Sequence, residues 1–133
     1  MYKELKELLN RSISKYYKFK VSAIVLCSDG NKIGGVNVET SSPSAGICAE
    51  RNALYAAFSL GYTKDDIKEL HVMVDKEIPS MPCFICRQAL ADFLDENTTI
   101  YLYNKNGLSS SILLKELIPY KFSEEDLIWN QDL

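Results

Sequence analysis

The chain has 133 residues, a hydrophobic fraction of 47% and a formal net charge of −3, so we expect one domain, spanning residues 1–133, with one core. No apolar run approaches the about 20 residues of a membrane span, and residues 1–6 lack the apolar stretch of a signal peptide, so we expect a cytoplasmic protein without a membrane partner. The scattered lysines form no basic stripe, which argues against a nucleic-acid substrate and favours a small neutral one.

The first third of the chain predicts a helix followed by a hairpin. Apolar residues at helical spacing indicate an amphipathic helix over residues 2–13. The β-branched run Val21–Cys27 predicts a buried strand, Asp29-Gly30-Asn31 a turn, and residues 32–38 a second strand. A polar loop over residues 39–46 then leads to the next helix.

The rest of the chain alternates helices with strands. The predicted elements are a helix from Cys48 to near Gly61, a strand over residues 68–74, a helix after Pro82, strands over residues 98–103 and 108–112, a helix over residues 113–117, and a last helix from Ser123 through Trp129. A hairpin followed by strand–helix–strand crossovers predicts an α/β fold, with a mixed five-stranded sheet and helices on both faces.

Two cysteine motifs each begin a predicted helix. Residues 48–51 read Cys-Ala-Glu-Arg, and residues 82–88 read Pro-Cys-Phe-Ile-Cys-Arg-Gln. Cys83 and Cys86 are one helical turn apart, which places both sulfurs on one face and suits two thiolates on a tetrahedral zinc ion. With Cys48 as a third ligand, the fourth position stays open for water, which is typical of a catalytic zinc.

The position of Glu50 and the negative charge of three thiolates both require that the cysteines lie at the starts of their helices. Glu50 is two residues from Cys48, so both can face one metal only if Cys48 lies at the helix start. Three thiolates would leave a zinc site with a net negative charge, which blunts the acidity of bound water. Two helix N-termini aimed at the sulfurs, with Arg51 or Arg87 as a donor to them, would offset that charge.

The cysteine spacing alone leaves other chemistry open. A Cys-x-x-Cys pair is also typical of structural zinc sites and of thiol–disulfide exchange, so a zinc-stabilised binding module and a redox protein remain alternatives. Cys27, at a strand end, is expected to be a plain buried residue. His71, the only histidine, lies near a strand start and is expected at the surface or in a cap.

Further segments carry a resemblance to a known family. Residues 16–23 read Tyr-Tyr-Lys-Phe-Lys-Val-Ser-Ala, residues 35–39 read Gly-Val-Asn-Val-Glu, and residues 116–123 read Glu-Leu-Ile-Pro-Tyr-Lys-Phe-Ser. Together with the two cysteine motifs, in this order and spacing, they resemble the small all-cysteine branch of the cytidine deaminase family. The resemblance covers nearly the whole chain and implies that family's three-layer α-β-α fold.

The resemblance implies roles for the residues of the cysteine motifs. Cys48, Cys83 and Cys86 would hold Zn²⁺. Glu50 would be the general acid/base that moves protons between water, the ring N3 and the leaving amine. Independently of the resemblance, the charge argument above favours Arg51 as the donor to a thiolate. The implied reaction is the hydrolytic deamination of cytidine and deoxycytidine to uridine, deoxyuridine and ammonia, in pyrimidine salvage.

The resemblance also implies residues that bind the substrate. Asn37 and Glu39 would hydrogen-bond the ribose 3′-hydroxyl, Phe19 would pack beside the nucleoside, and the Ala49 N–H would hold the ring carbonyl. Phe122 would stack on the base in a neighbouring subunit, because the family's small members are usually homotetramers with shared sites.

Three departures from the family pattern leave the substrate open. Residues 40–43 read Thr-Ser-Ser-Pro where Asn-Ala-x-Tyr is usual, Phe84-Ile85 replaces a small pair, and Ser22 stands where glycine is common. The related blasticidin deaminases share the zinc core with an altered sugar pocket, so a modified cytosine nucleoside such as blasticidin S is the alternative substrate. The retained Asn37 and Glu39 favour a ribose.

Overall fold

The structure of the protein is a computed structural model, which describes residues 1–127. Its helices and strands are, in chain order, α1 (Tyr2–Leu9), β1 (Val21–Cys27), β2 (Lys32–Val36), α2 (Ala49–Ser59), β3 (Ile67–Val74), α3 (Phe84–Phe93), β4 (Thr99–Asn104), β5 (Gly107–Leu113) and α4 (Leu114–Leu117). Within residues 1–127, none of the helices has the length and apolar character needed to cross a bilayer.

The strands form one mixed five-stranded sheet, which confirms the predicted fold. The strand order is β2-β1-β3-β4-β5. The pair β3–β4 is parallel and joined through α3, while the other three pairs are antiparallel. Gly30, at φ 88°, makes the turn between β1 and β2, where a side chain would be strained.

Helices cover both faces of the sheet, as predicted. On one face α1 packs Leu5 and Leu9 against Ile24, Met73 and Tyr103 of three different strands. On the other face, α2, α3 and α4 bury their apolar sides against the alternate residues of β1, β3 and β4. The sheet is therefore the middle layer of three, and both cysteine motifs lie on the side of α2 and α3.

Helix α2 lies very close to the sheet because small residues meet there. Ala49, Ala53 and Ala57 are fully buried along one side of the helix. A Cβ added to Gly35 of β2 would lie 2.4 Å from the backbone nitrogen of Ala53. This close contact fixes the position of α2 on the sheet, and with it the position of Cys48 at the start of the helix.

The predicted bounds of the first helix and the second strand were too long. Helix α1 ends at Leu9, and Ile13 is instead exposed and pairs with Val38 through a parallel bridge. The Ile13 N–H donates to the Asn37 carbonyl, and its own carbonyl accepts from the Glu39 N–H. Residues 12–13 therefore extend the edge of the sheet, because these long-range backbone bonds outweigh the local helical periodicity.

Two further predictions concern residues outside the main motifs. His71 was expected at the surface, and that was wrong, because it lies in the middle of β3 and is only 5% exposed. Its Nδ1 lies 2.8 Å from the Tyr103 hydroxyl and its Nε2 lies 2.9 Å from Glu69, so neighbouring groups satisfy the buried ring. The last predicted helix is a short 3₁₀ turn over Glu124–Leu127, and Trp129 lies outside the described residues.

Candidate metal centre and active site

The structure brings three of the four cysteines together. The Sγ atoms of Cys48, Cys83 and Cys86 all lie within 4.8 Å of one another, and those of Cys48 and Cys83 are 3.6 Å apart. Cys86 is buried, Cys48 half-buried and Cys83 exposed, so the cluster opens on one side. Cys27 is a separate buried residue of the core, as expected.

Two helix starts carry this cluster. Cys48 is the N-cap of α2 and Cys83 the N-cap of α3, each in extended backbone conformation. The Cys86 N–H, in the first turn of α3, donates to the Cys83 sulfur at 3.5 Å. Both helices thus place the positive ends of their dipoles at the cluster, and in α3 an N–H group of the first turn also reaches a sulfur.

The dimensions of the cluster suit a zinc ion. Three thiolates at about 2.3 Å from a tetrahedral ion lie about 3.8 Å from one another. The Cys48–Cys83 sulfur separation of 3.6 Å is close to this value, and the other two separations are no more than 4.8 Å. Within residues 1–127, no fourth His, Cys, Asp or Glu side chain joins the group. The residues therefore fit a zinc ion with three protein ligands and one open position.

Arg51 lies beside the cluster, whereas Arg87 does not. The Arg51 Nη2 donates to the Cys48 sulfur at 3.7 Å, and its buried Nε finds no partner within residues 1–127. A hydrogen bond with the Cys86 thiol lowers the pKa of Cys48, and Arg51 acts in the same direction against the effect of burial. Arg87 instead donates to the carbonyl oxygens of Pro82 and Leu117, which ties the start of α3 to the end of α4.

Glu50 is a buried carboxyl next to the sulfurs. It is only 5% exposed, and it lines the same cavity as Cys48 and Cys83. Burial raises the pKa of Glu50 to about 7, and the nearby Cys48 sulfur adds to this effect. Because Cys48 is the N-cap rather than an interior helical residue, the two side chains reach one cavity although they are two positions apart.

The cavity has a volume of about 320 Å³, within the range of small-molecule sites. Its walls are mostly apolar, with a few polar side chains that converge on it. The apolar lining includes Phe19, Val21, Ile47, Val72, Val74, Met81 and Ile85, and the polar lining includes Tyr17, Asn37, Glu39, Thr40, Glu50 and Arg51. Apart from Phe19 and the polar residues of the motifs, the sequence did not single out these walls, because they come from elements far apart in the chain.

Asn37 and Glu39 line this cavity and also hydrogen-bond to a backbone segment that forms part of its wall. The Asn37 amide bonds to the backbone of Phe19 and Val21, and Glu39 Oε1 accepts from the N–H groups of Tyr16 and Tyr17. Both side chains therefore bind the segment of residues 16–21 that carries the aromatic side of the cavity. Asn37 is also contacted by the hydroxyl of Ser12, a residue that the sequence placed inside the first helix.

The other two residues predicted to bind the substrate, Ala49 and Phe122, do not line the cavity. Ala49 is the first residue of α2, so its N–H has no acceptor within the helix, although its side chain belongs to the core. Phe122 is 55% exposed and lies outside the cysteine cavity of its own chain. Its carbonyl accepts a hydrogen bond of 3.0 Å from Gln88, which ties the C-terminal segment to α3.

Comparison with known proteins identifies the family. Residues 1–102 match the model described as the cytidine and deoxycytidylate deaminase zinc-binding region. The chain belongs to this deaminase family. Its zinc-binding region and the three-sulfur cluster together identify Zn²⁺ as the cofactor of this member.

Individual members of the family resemble the chain over most of its length. A cytidine deaminase of Halalkalibacterium halodurans is 38% identical over 112 residues, covering 84% of this chain and 83% of that protein. Another, of Sporosarcina psychrophila, is 38% identical over 93% of this chain and 90% of that protein. The blasticidin-S deaminase of Bacillus cereus is 28% identical over 90% of this chain and 91% of that protein. The crystal structure of the Burkholderia pseudomallei cytidine deaminase superposes with a TM-score of 0.85, at 29% identity, over 90% of this chain and 94% of that one.

Proposed function

We propose that this protein is an enzyme that deaminates cytidine and deoxycytidine by zinc-dependent hydrolysis, giving uridine or deoxyuridine and ammonia. The observation that carries the proposal is the buried carboxyl of Glu50, which lines the same cavity as Cys48 and Cys83 but is not one of the three clustered side chains. Membership of the deaminase family supports the same reaction.

The residues of the site have complementary roles in this reaction. When bound, zinc supplies a Lewis acid that makes water nucleophilic near neutral pH. Glu50 takes up one proton of the attacking water and passes it to the ring N3, and it then takes up the second, from the hydroxyl added to the ring carbon, and passes it to the departing amine. The Ala49 N–H, at the start of α2, holds the ring carbonyl, and Arg51 keeps Cys48 in its thiolate form.

The cavity suits a nucleoside better than a polymer. Phe19 and the valines of β3 form apolar walls for the base, while Asn37 and Glu39 offer polar groups to the sugar. We propose that these two side chains bind the ribose 3′-hydroxyl. A net charge of −3 gives no general attraction for a polyanion, which also favours a neutral nucleoside.

We also propose that the working enzyme is a single-domain subunit of a cytoplasmic homotetramer that serves pyrimidine salvage. Phe84 and Ile85, beside the cysteine cluster, are 81% and 65% exposed, and such apolar exposure is typical of a surface that a partner covers. Phe122 would then stack on the base in a neighbouring site. Sedimentation velocity tests the tetramer, and a purely monomeric enzyme at assay concentration would contradict it.

One assay tests the proposed reaction. Zinc-loaded protein is mixed with cytidine, deoxycytidine, cytosine and blasticidin S, and the loss of the amino group is followed by ultraviolet absorbance. We expect turnover of cytidine and deoxycytidine and little of cytosine, which lacks the sugar. No release of ammonia from any of them, despite tight nucleoside binding, would favour a non-catalytic zinc-stabilised binding module.

Blasticidin S is the second candidate substrate. The altered loop over residues 40–43 lies at the cavity through Thr40 and Pro43, and a blasticidin-S deaminase is among the relatives of the chain. A kcat/KM for blasticidin S above that for cytidine, measured in the same panel, would establish this alternative.

A further inference from the structure

Ser12 makes a contact that the known parts of the site do not explain. Its half-buried hydroxyl donates to the side-chain oxygen of Asn37, and it also lies 3.4 Å from the Asn37 backbone carbonyl. The carbonyl already accepts from the Ile13 N–H, and the Asn37 side-chain oxygen lies nearer to the Ser12 hydroxyl than the carbonyl does. Ser12 is not among the residues that line the cavity, so it can reach a bound molecule only through Asn37.

The contacts of Asn37 leave its amide only one polar role. The oxygen Oδ1 has two lone pairs, and it accepts from Ser12 and, at 2.9 Å, from the Val21 N–H. The nitrogen Nδ2 has two hydrogens and gives one to the Phe19 carbonyl at 2.6 Å. Within residues 1–127, the remaining N–H is therefore the only group of this amide still available to a molecule in the cavity.

Glu39 offers the cavity a hydrogen-bond acceptor, whereas Asn37 offers a donor. Its Oε1 accepts from the Tyr16 and Tyr17 N–H groups at 2.9 and 2.7 Å, so Oε2 is the oxygen left for a ligand. A carboxylate accepts hydrogen bonds and an amide N–H donates them. A ligand group that satisfies both side chains must accept from Asn37 and donate to Glu39, and a sugar hydroxyl does both.

We propose that Ser12 is a positioning residue that, together with Val21 and Phe19, holds the Asn37 amide as a donor, and so strengthens the preference for nucleosides with the free 3′-hydroxyl proposed above. This inference rests on the proposed function, because it concerns how the nucleoside sugar is recognised. Removing the Ser12 hydroxyl takes away one of the three hydrogen bonds that hold the Asn37 amide. The bonds with Val21 and Phe19 remain, so the amide is held less firmly but keeps its orientation. The expected change is in selectivity rather than in folding.

The experiment compares two substrates in parent and variant enzymes. We expect Ser12→Ala to lower kcat/KM for cytidine by about 2- to 10-fold, the range of one ordinary hydrogen bond. The loss lies mainly in KM, because Ser12 does not line the cavity that holds Glu50 and acts through Asn37. With 3′-deoxycytidine, which lacks the hydroxyl, the same variant loses less than about twofold.

Two further variants separate positioning from structure. Ser12→Thr keeps the hydroxyl and is expected to keep the parental preference for cytidine over 3′-deoxycytidine. Ser110 is an exposed serine of β5 outside the cavity, so Ser110→Ala is the matched control. It should leave kcat/KM unchanged for both cytidine and 3′-deoxycytidine. A thermal unfolding midpoint for each variant shows whether folding is affected.

The outcomes distinguish this inference from the proposed function. Three results would overturn the role of Ser12 alone. They are equal losses of kcat/KM for both nucleosides in Ser12→Ala, a loss in Ser12→Thr as large as in Ser12→Ala, and a parent enzyme that does not prefer cytidine. A zinc-loaded parent that turns over neither nucleoside overturns the proposed function, and the inference with it. A cytidine-specific loss that Ser12→Thr restores supports both.

Discussion

Replacement of Glu50 by glutamine tests the central assignment most directly. Glutamine has nearly the same shape, so the buried side chain keeps its volume beside Cys48. An amide cannot take up and return protons at neutral pH, so the variant loses the general acid/base and keeps the cavity. Because a neutral amide replaces a buried ionisable group, no unpaired charge is created and we expect the fold to persist.

The size of the effect follows from the number of proton transfers assigned to this carboxyl. One general acid/base contributes about 10²–10⁴-fold, and Glu50 is assigned both the uptake and the return of protons. We therefore expect kcat for cytidine to fall by about 10⁴-fold, equivalent to about 5.4 kcal/mol in the barrier. Glu7→Gln, an exposed position of α1, is the matched control and should leave kcat unchanged.

The assay combines turnover with two checks of integrity. The loss of cytidine absorbance gives kcat, elemental analysis gives zinc per chain, and circular dichroism gives the unfolding midpoint. We expect Glu50→Gln to match the parent in zinc content and fold while losing turnover. A kcat within about tenfold of the parent would refute the acid/base role, whatever the zinc content.

Three further predictions concern the metal, the buried histidine and the contact between sheet and helix. Cys86→Ser is expected to lose stoichiometric zinc and to lower the melting temperature, because zinc binding of about 10–16 kcal/mol rivals the stability of a whole fold. Elemental analysis and thermal unfolding check this, with Cys27→Ser as the control that keeps its zinc. Burial lowers the pKa of His71 despite the opposing effect of Glu69, so as pH falls below about 6.5 the unfolded chain takes up a proton that the folded chain resists. The free energy of unfolding should therefore decrease on acidification through this range, and an identical pH slope in His71→Gln would contradict the assignment. Gly35→Ala places a Cβ 2.4 Å from the Ala53 backbone and should cost about 1–3 kcal/mol or more in urea unfolding. Gly34→Ala, which meets only the movable end of Leu8, should cost less, and equal costs would count against the tight helix contact.

Local patterns determined most of the elements and the chemistry of the site. The run Val21–Cys27 is a strand at the predicted bounds, because β-branched residues and the Gly30 turn act over short distances. The cysteines of residues 83–86 are one helical turn apart by their spacing alone. The inference that Cys48 must begin its helix also needed only the two-residue separation from Glu50, and the structure has Cys48 as the N-cap.

Contacts between distant segments decided the rest. His71 is buried because Tyr103 and Glu69 satisfy its ring, and no local pattern shows that a neighbouring strand will supply a partner. The first helix ends at Leu9 because residue 13 finds backbone partners beyond the second strand. Ser12 reaches Asn37 only as a result of that early end. Periodicity and propensity describe what a segment favours by itself, whereas hydrogen bonds between segments form only after folding brings them together. The sequence therefore determined most of the elements and the predicted metal ligands. The tertiary structure decided where the first helix ends, which residues form the walls of the cavity and which residues orient its polar groups.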